Sequence, residues 1–190
     1  MTIYWLIFFL PSIFLLIKYE NKKNSNFLFI SYSLILIFII GFRDRIGGDW
    51  ENYLSSYAFL KDLEFYKLFT NVNMGANSFI DVMTDDIGFK LVYWIAINNF
   101  NGIYTANLVC SIIFVFGLIK FSKKMPFPWL AIIIATPYLI IVVAQGYTRQ
   151  AAAIGFFMWA LTYLLNGRIY RYILITLLGG LFHKTVLMML

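Results

Sequence analysis

The chain has 190 residues, of which 62% are hydrophobic and 13% are charged, whereas soluble domains carry about 25% charged residues. So much apolar surface cannot be buried in one small soluble core, and the composition therefore indicates a protein embedded in lipid. The formal net charge of +6 is divided into small basic groups between apolar segments, which fits control of membrane topology better than binding to nucleic acid.

The apolar segments predict an all-α, polytopic transmembrane bundle, because a helix needs about 20 apolar residues to cross a bilayer. The candidate spans are residues 2–17, 27–42, 103–119, 127–144, 147–165 and a sixth segment that begins at residue 172. Pro137 is expected to kink the fourth span. The first segment has neither a basic start nor a cleavage pattern, which favours an uncleaved anchor. Because the sequence stops inside an apolar helix, we expect residues 1–190 to be one membrane-embedded domain and an N-terminal fragment of a longer protein.

The basic residues predict the orientation of these spans. Residues 89–99 are apolar enough to enter a membrane but too short to cross one. If they do not cross, eight of the fifteen basic residues share one side with one of the nine acids, and that side is then cytoplasmic. If they crossed, the bias would vanish. We therefore expect an interfacial or re-entrant helix at 89–99, an outside N-terminus and an extracytoplasmic loop at 43–86. Within this loop, residues 51–69 predict an amphipathic helix that covers the outer face.

A motif with the sequence GFRDRIGGDWENY, at residues 41–53, lies at the predicted outer boundary of the second span. Its candidate site residues are Arg43, Arg45, Asp49, Trp50 and Tyr53. Arginine recognises phosphate through paired hydrogen bonds, so the motif is suited to a charged, partly sugar-like ligand. Snorkelling interfacial arginines and an aromatic belt are the alternatives. The double glycine at 47–48 is not a phosphate loop, because no Gly-Lys-Ser/Thr sequence follows it.

Four further polar residues are predicted in the same outer half of the membrane. Arg149 and Gln150 lie at the start of the fifth span. His183 and Lys184 lie about twelve residues into the sixth, or roughly 18 Å along a helix. Ionisable groups inside a membrane are costly and usually face a cavity or each other. The alternatives are a polar pair at a helix start and a satisfied core histidine.

No metal site or cofactor is expected. The single cysteine, Cys110, excludes an intramolecular disulfide, and a single histidine excludes a multi-histidine metal site. Asp81, Asp85 and Asp86 are interpreted as solvated loop acids in preference to a cation site.

Four motifs together give a resemblance to a known family. They are FRDRIGGDWENY at 42–53, the step Asp-Ile-Gly-Phe at 86–89, TRQAAA at 148–153 and FHKT at 182–185. In this order and spacing they resemble the EpsG family, which is related to the Wzy-type polymerases of O-antigen and capsular polysaccharides. The chain departs from the family pattern at Gly48, where a Thr or similar polar residue is frequent, and at Asp86, which replaces the usual Glu.

The resemblance implies a multi-span glycosyltransferase of the GT-C type. Such an enzyme transfers an oligosaccharide from an undecaprenyl diphosphate carrier to another carrier-linked repeat unit. It works at the outer face of the bacterial cytoplasmic membrane. The expected partners are these lipid-linked oligosaccharides, membrane lipids and other polysaccharide-assembly proteins, with no nucleic acid among them.

The roles of individual residues follow from this hypothesis. Arg43, Arg45 and Arg149 are expected to hold the carrier diphosphate and to stabilise the charge that grows on it. Either Asp49 or His183 is expected to accept the proton of the attacking sugar hydroxyl. The remaining binding residues are Gln150, Lys184, which assists with phosphate, and Trp50 and Tyr53, which stack on sugars.

Other classes of membrane protein use some of the same residue types. A transporter or flippase of lipid-linked saccharides needs the same basic and aromatic groups, but with access from both sides. A membrane O-acyltransferase also uses His and Arg near a membrane cavity, although its donor usually arrives from the cytoplasm. A purely structural subunit would rarely keep both His183 and Lys184 within a span.

Overall fold

The structure is a computed structural model that describes residues 2–17, 22–61, 65, 86–100 and 102–190. Every regular element in this part of the chain is helical, so the described chain is all-α. The α-helices are α1 (Thr2–Leu16), α2 (Lys22–Gly41), α3 (Trp50–Lys61), α4 (Ile87–Asn99), α5 (Ile103–Ser122), α6 (Pro128–Ala135), α7 (Thr148–Leu164) and α8 (Ile169–Gly180). A π-helix, Thr136–Ala144, continues α6, and a 3-10 helix, Lys184–Met189, follows α8.

Long-range contacts show that α2 runs antiparallel to α5. At one end of the bundle, Nζ of Lys123, just after α5, donates to Asn26 near the start of α2 over 3.2 Å. At the opposite end, Arg43, just after α2, contacts Ala144 at the end of the π-helix and Thr148 at the start of α7. We call this second end the site end, because the predicted functional residues of several helices meet there.

One helix of the described chain, α5, is long and apolar enough to cross a membrane, judged by its length and composition. Four other apolar stretches have only 10–17 residues, and they are Thr2–Leu16, Ser25–Gly41, Pro128–Ala144 and Ile169–Gly180. Helices do form in all six predicted segments. The six membrane crossings themselves stay a prediction.

The helices α5 and α7 form the centre of the bundle, where two glycines allow their backbones to touch. A Cβ added to Gly117 would lie 1.9 Å from the carbonyl oxygen of Gly155, and one added to Gly155 would lie 2.6 Å from Cα of Phe114. Neither position has room for a methyl group, and small residues of this kind are what close helix packing in membranes requires. This contact holds the later part of α5 against the middle of α7, and the hydrogen bond from Thr148 to Asn107 joins their starts at the site end.

The sixth predicted span is interrupted, so the prediction of a continuous helix from residue 172 is wrong. Helix α8 ends at Gly180, and the 3-10 helix begins only at Lys184. Between them, His183 has an extended backbone with φ −161° and ψ 117°. The adjacent Gly179 and Gly180 weaken the helix by about 1 kcal/mol each relative to alanine, which is why the chain leaves the helix at this point. His183 therefore projects from a break between helices rather than from a helix face.

Two other predicted segments form helices. Helix α4 has 13 residues, so the short helix predicted at 89–99 is confirmed, whereas its place relative to a membrane stays a prediction. Helix α3 covers the first part of the amphipathic helix predicted at 51–69. Residues 62–64 and 66–85 of the predicted loop lie outside the described residues. In the fourth segment, the helix changes from α to π at Thr136, beside Pro137, whose nitrogen cannot donate to the helical ladder.

Candidate functional site

The guanidinium of Arg43 joins four elements at the site end. The residue is 4% exposed, its Nη1 donates to the carbonyl oxygen of Ala144 and its Nη2 donates to Oγ1 of Thr148. The Thr148 hydroxyl in turn donates to Oδ1 of Asn107 in α5 over 2.9 Å. Burial lowers the pKa of Arg43, although a guanidinium remains charged at neutral pH. Arg43 thus links the loop after α2 to the π-helix, α7 and α5.

A second polar cluster lies directly beside the first, because Arg149 follows Thr148. Nη1 of Arg149 donates to Oδ2 of Asp86 over 2.7 Å, and the two side chains are 9% and 3% exposed. Nδ1 of His183 lies 3.4 Å from the same carboxylate oxygen. Asp86 immediately precedes α4, Arg149 lies in the first turn of α7, and His183 lies in the break after α8. Three distant segments thus place a carboxylate, a guanidinium and an imidazole together.

The chemistry of this cluster depends on where its atoms are exposed. A buried carboxylate requires a partner charge, and Arg149 supplies it. The side chain of His183 is 26% exposed, so part of its ring is accessible while Nδ1 is turned to Asp86. A carboxylate at one ring nitrogen orients an imidazole, so the other nitrogen can exchange a proton with a ligand.

Gly88 explains how Asp86 comes so close to His183. The backbone N–H of Gly88 donates to the carbonyl oxygen of Leu181 over 2.8 Å. A Cβ on Gly88 would lie 2.9 Å from Cβ of Leu181 and 3.0 Å from its carbonyl oxygen. The start of α4 therefore packs directly on the break that carries His183, and a larger residue at this position would separate the two segments.

Tyr53 lies between Asp49 and the start of α7. Its side chain is buried, and its hydroxyl oxygen is 3.5 Å from Oδ2 of Asp49. The Tyr93 hydroxyl donates to the carbonyl oxygen of Tyr53 over 2.5 Å, which joins α4 to α3. Burial, followed by the negative charge of Asp49, raises the pKa of Tyr53 to about 12, while Arg149 and Thr148 act in the opposite direction. Tyr53 is therefore protonated at neutral pH.

A model of the EpsG family matches residues 26–190, which include both polar clusters. The chain belongs to the EpsG family. No curated protein and no solved structure matches it. Membership of the EpsG family connects the chain with polysaccharide biosynthesis and with glycosyltransferase-like polysaccharide polymerases, and together with α5 it indicates a membrane protein.

His183 of this EpsG-family chain lines a cleft of about 460 Å³ between α7 and the 3-10 helix. Gln150 lines the same cleft, and Ile154 and Phe157 contribute to its apolar wall. Lys184 is exposed next to His183 in the sequence. Gln150 of the TRQAAA motif and His183 of the FHKT motif therefore do converge on this cleft, and Asp86 joins His183 to the adjacent Arg149.

The aromatic residues of the first motif have a different environment from the one predicted. Trp50 is 5% exposed and Tyr53 is 1% exposed, and the Trp50 ring lies 6.1 Å from the ring of Tyr104. These rings pack inside the protein, so their positions do not support a role in stacking on sugars. Arg45 is exposed and has a φ of 50°, whereas Asp49 is half-buried.

The interpretation of Asp86 as a solvated loop acid is wrong, because the residue is 2% exposed and paired with Arg149. Asp81 and Asp85 lie outside the described residues. Asn107 and Gln145 are two further buried polar residues of the site end that sequence reasoning missed. The sequence feature that could have indicated a site role for Asp86 was its position directly before a helix that begins Ile-Gly. Within the described residues, no three His, Cys, Asp or Glu side chains form a group able to hold a metal.

Proposed function

We propose that this protein is a GT-C-type polysaccharide polymerase. It transfers an oligosaccharide repeat unit from undecaprenyl diphosphate to another lipid-linked repeat unit at the outer face of the bacterial cytoplasmic membrane. The observation that carries this proposal is the contact of Asp86 with both Arg149 and His183 beside a cleft. Membership of the EpsG family supplies the class of product.

In the proposed reaction, a sugar hydroxyl of the acceptor attacks the anomeric carbon of the donor. The new glycosidic C–O bond forms as the bond between that carbon and the diphosphate oxygen breaks. The hydroxyl proton passes to Nε2 of His183, and the electron pair of the broken bond leaves with the diphosphate. Asp86 stabilises the imidazolium that results, which is the role of the carboxylate in a Ser-His-Asp triad.

The cations of the predicted site divide between two roles in this proposal. Arg149 donates to the Asp86 carboxylate over 2.7 Å, so it acts as a positioning residue for Asp86 and His183. Lys184 and Arg45 are exposed, and in this proposal they bind the negative charge of the carrier diphosphate. Gln150, on the cleft wall, would hydrogen-bond the sugar. Asp49 is the second candidate base, and Tyr53 is its nearest described hydroxyl.

The test is polymerisation in vitro. Full-length protein in nanodiscs receives the lipid-linked repeat unit, and the products are separated by size. We expect a ladder from the wild type, and a rate at least about 100-fold lower from His183→Ala and Arg149→Ala, because general-base catalysis typically contributes that much or more. An undiminished ladder from both variants would refute the assignment of the site.

The same preparation separates the polymerase from the transporter. The protein is reconstituted into proteoliposomes with the lipid-linked unit, and movement of that unit between leaflets is followed. A ladder without movement supports the polymerase. Movement without a ladder would replace it with a flippase of lipid-linked saccharides.

A further inference from the structure

A set of buried hydrogen bonds holds the start of α7, and the proposed transfer reaction does not use the residues that form it. Thr148 is the first residue of α7 and is buried. Its hydroxyl accepts a hydrogen bond from Nη2 of Arg43 and donates one to Oδ1 of Asn107 over 2.9 Å. Asn107 lies in α5 and is also buried. One hydroxyl therefore joins the loop after α2 and helix α5 to the first turn of α7.

Arg43 also closes the end of the π-helix. Ala144 is the last residue of that helix, and the last carbonyl groups of a helix lack donors within it. Nη1 of Arg43 donates to the carbonyl oxygen of Ala144, and a cation at this end of a helix is favoured by the helix dipole. The planar guanidinium thus bridges the end of the π-helix and the start of α7 across the turn at residues 145–147.

The contacts of Arg43 are made with the protein itself. Its side chain is buried, and its two Nη atoms donate to two oxygens of the chain. Burial lowers the pKa of Arg43, and the negative charge of Asp49 opposes that effect. The described residues that line the His183 cleft do not include Arg43. These observations favour a role in holding the protein over a role in contacting a substrate in the cleft.

The consequence for the cleft lies one residue further along α7. Arg149 follows Thr148, and its Nη1 donates to Oδ2 of Asp86 over 2.7 Å. The same oxygen lies 3.4 Å from Nδ1 of His183. We call Arg149, Asp86 and His183 the Asp86 cluster. A shift of the first turn of α7 would move Arg149 and lengthen these contacts, and a misplacement of about 1 Å can lower a rate roughly 100-fold.

We propose that Arg43, Thr148 and Asn107 are positioning residues for the Asp86 cluster. They hold the first turn of α7 in place, and they act on the reaction through Arg149 without contacting the substrate. This inference rests on the proposed transfer reaction. It gives Arg43 a role different from binding of the carrier diphosphate.

The first test compares two substitutions of Thr148 in full-length protein in nanodiscs, with the mole fraction of the lipid-linked repeat unit varied. Thr148→Val removes the hydroxyl and keeps the branched shape, whereas Thr148→Ser keeps the hydroxyl. We expect Thr148→Val to lower kcat about tenfold or more and to leave KM within about twofold, because the lost contacts serve the reaction rather than binding. Thr148→Ser should restore most of the rate.

The matched control is Thr162→Val, which changes another buried threonine of α7. The hydroxyl of Thr162 donates to the carbonyl oxygen of Trp159 over 2.7 Å, within the same helix. We expect the wild-type kcat from this variant. A wild-type kcat from Thr148→Val would overturn the inference, and so would a loss that Thr148→Ser does not restore.

Arg43→Lys separates positioning from binding of the diphosphate. Lysine keeps the positive charge but lacks the planar fork that contacts both Ala144 and Thr148. We expect a lower kcat with KM unchanged, as in Thr148→Val. A KM raised about tenfold with little change in kcat would indicate lost substrate binding, which would overturn the positioning role of Arg43.

A second readout does not depend on transfer. Hydrogen–deuterium exchange reports local opening of the start of α7, where the N–H of Ala151 donates to the carbonyl oxygen of Tyr147 over 2.9 Å. We expect the peptide over residues 149–155 to exchange about fivefold faster or more in Thr148→Val, as for the loss of one hydrogen bond, and at the wild-type rate in Thr148→Ser and Thr162→Val.

The two readouts separate failure of this inference from failure of the proposed function. Wild-type exchange in Thr148→Val would overturn the inference even if the protein makes polymer. A wild type that makes no polymer would refute the transfer reaction, and the exchange rates would still decide whether the hydroxyl of Thr148 holds the turn that carries Arg149.

Discussion

In the proposed reaction, Asp86 is the residue that orients both Arg149 and His183 beside the cleft. A carboxylate at 3% side-chain exposure is stabilised only if nearby donors compensate for lost hydration, and Arg149 provides this over 2.7 Å. The same oxygen also faces Nδ1 of His183. The negative charge of Asp86 therefore fixes the orientation of both partners, and replacing that charge without changing the shape of the side chain is the sharpest test of the site.

We expect Asp86→Asn to lower the polymerisation rate by about 100-fold or more, because an amide has no negative charge to balance Arg149 or to stabilise the imidazolium formed in the reaction. The rate is measured in nanodiscs alongside the amount of folded protein. The control, Glu51→Gln, removes an exposed acid at the start of α3 and should keep the wild-type rate. A wild-type rate in Asp86→Asn would exclude this residue from catalysis.

The two adjacent glycines of the first motif, Gly47 and Gly48, differ in whether their position has room for a side chain. Gly47 has a φ of 107°, and a Cβ there would lie 2.7 Å from the carbonyl oxygens of Gln145 and Gly146. At Gly48 the nearest atom would be 3.6 Å away, in the Tyr147 ring. Only Gly47 therefore needs to be glycine for the loop to pack against the end of the π-helix.

This difference gives a paired prediction. We expect Gly47→Ala to lower the free energy of unfolding by about 1–3 kcal/mol, the usual range for a residue forced into a strained backbone conformation. Gly48→Ala should change it by less than about 0.5 kcal/mol, as is typical of substitutions that disturb no contact. Thermal unfolding in detergent measures both, and equal effects would show that the loop is not held through Gly47.

At the scale of elements, the break between α8 and the 3-10 helix carries His183 to the site. The break meets α4 through the hydrogen bond from Gly88 to Leu181. A methyl group at Gly88 has no room beside Leu181, and the contact is with backbone as well as side chain, so it cannot be relieved by a change of rotamer alone. The spacing of α4 from the break therefore determines whether Asp86 reaches His183.

We expect Gly88→Ala to reduce transfer about tenfold or more by moving Asp86 away from His183, since small misplacements of catalytic groups are costly. Gly146→Ala is the matched control, because a Cβ there would have no neighbour within 4 Å. Rates are compared at equal amounts of folded protein. Equal rates in the two variants would show that the contact between α4 and the break has no catalytic consequence.

The sequence predicted the helices well and the site only in part, for reasons visible in individual elements. Hydrophobic length alone locates α2 and α5, since each forms over an apolar run. The break at Gly180 was missed, because an apolar stretch resumes beyond it at residues 186–190. The burial of Asp86 was missed, because it depends on partners 63 and 97 residues away in the chain. Residues of the motifs at 148–153 and 182–185 line one cleft, and they were singled out through resemblance rather than through any local pattern.

At the scale of the whole molecule, the predicted orientation can be tested with the single native cysteine. Cys110 is buried, and its replacement by alanine gives a background for new cysteines. We expect Glu51→Cys to react with a membrane-impermeant maleimide on intact cells. Lys124→Cys should react only after permeabilisation, because basic loops face the cytoplasm. The reverse labelling pattern would invert the topology and move the site to the cytoplasmic face.

The contacts of Arg43 also have a consequence for the order in which the protein assembles. Its partners, Ala144 and Thr148, are 101 and 105 residues further along the chain. Closing a long loop has an entropic cost that local helix formation does not, so contacts of this kind form after the helices themselves. During synthesis, Arg43 therefore cannot form these hydrogen bonds until Ala144 and Thr148 have been made. We expect the N-terminal helices to be the part of a nascent chain most dependent on protection by lipid or an insertion factor.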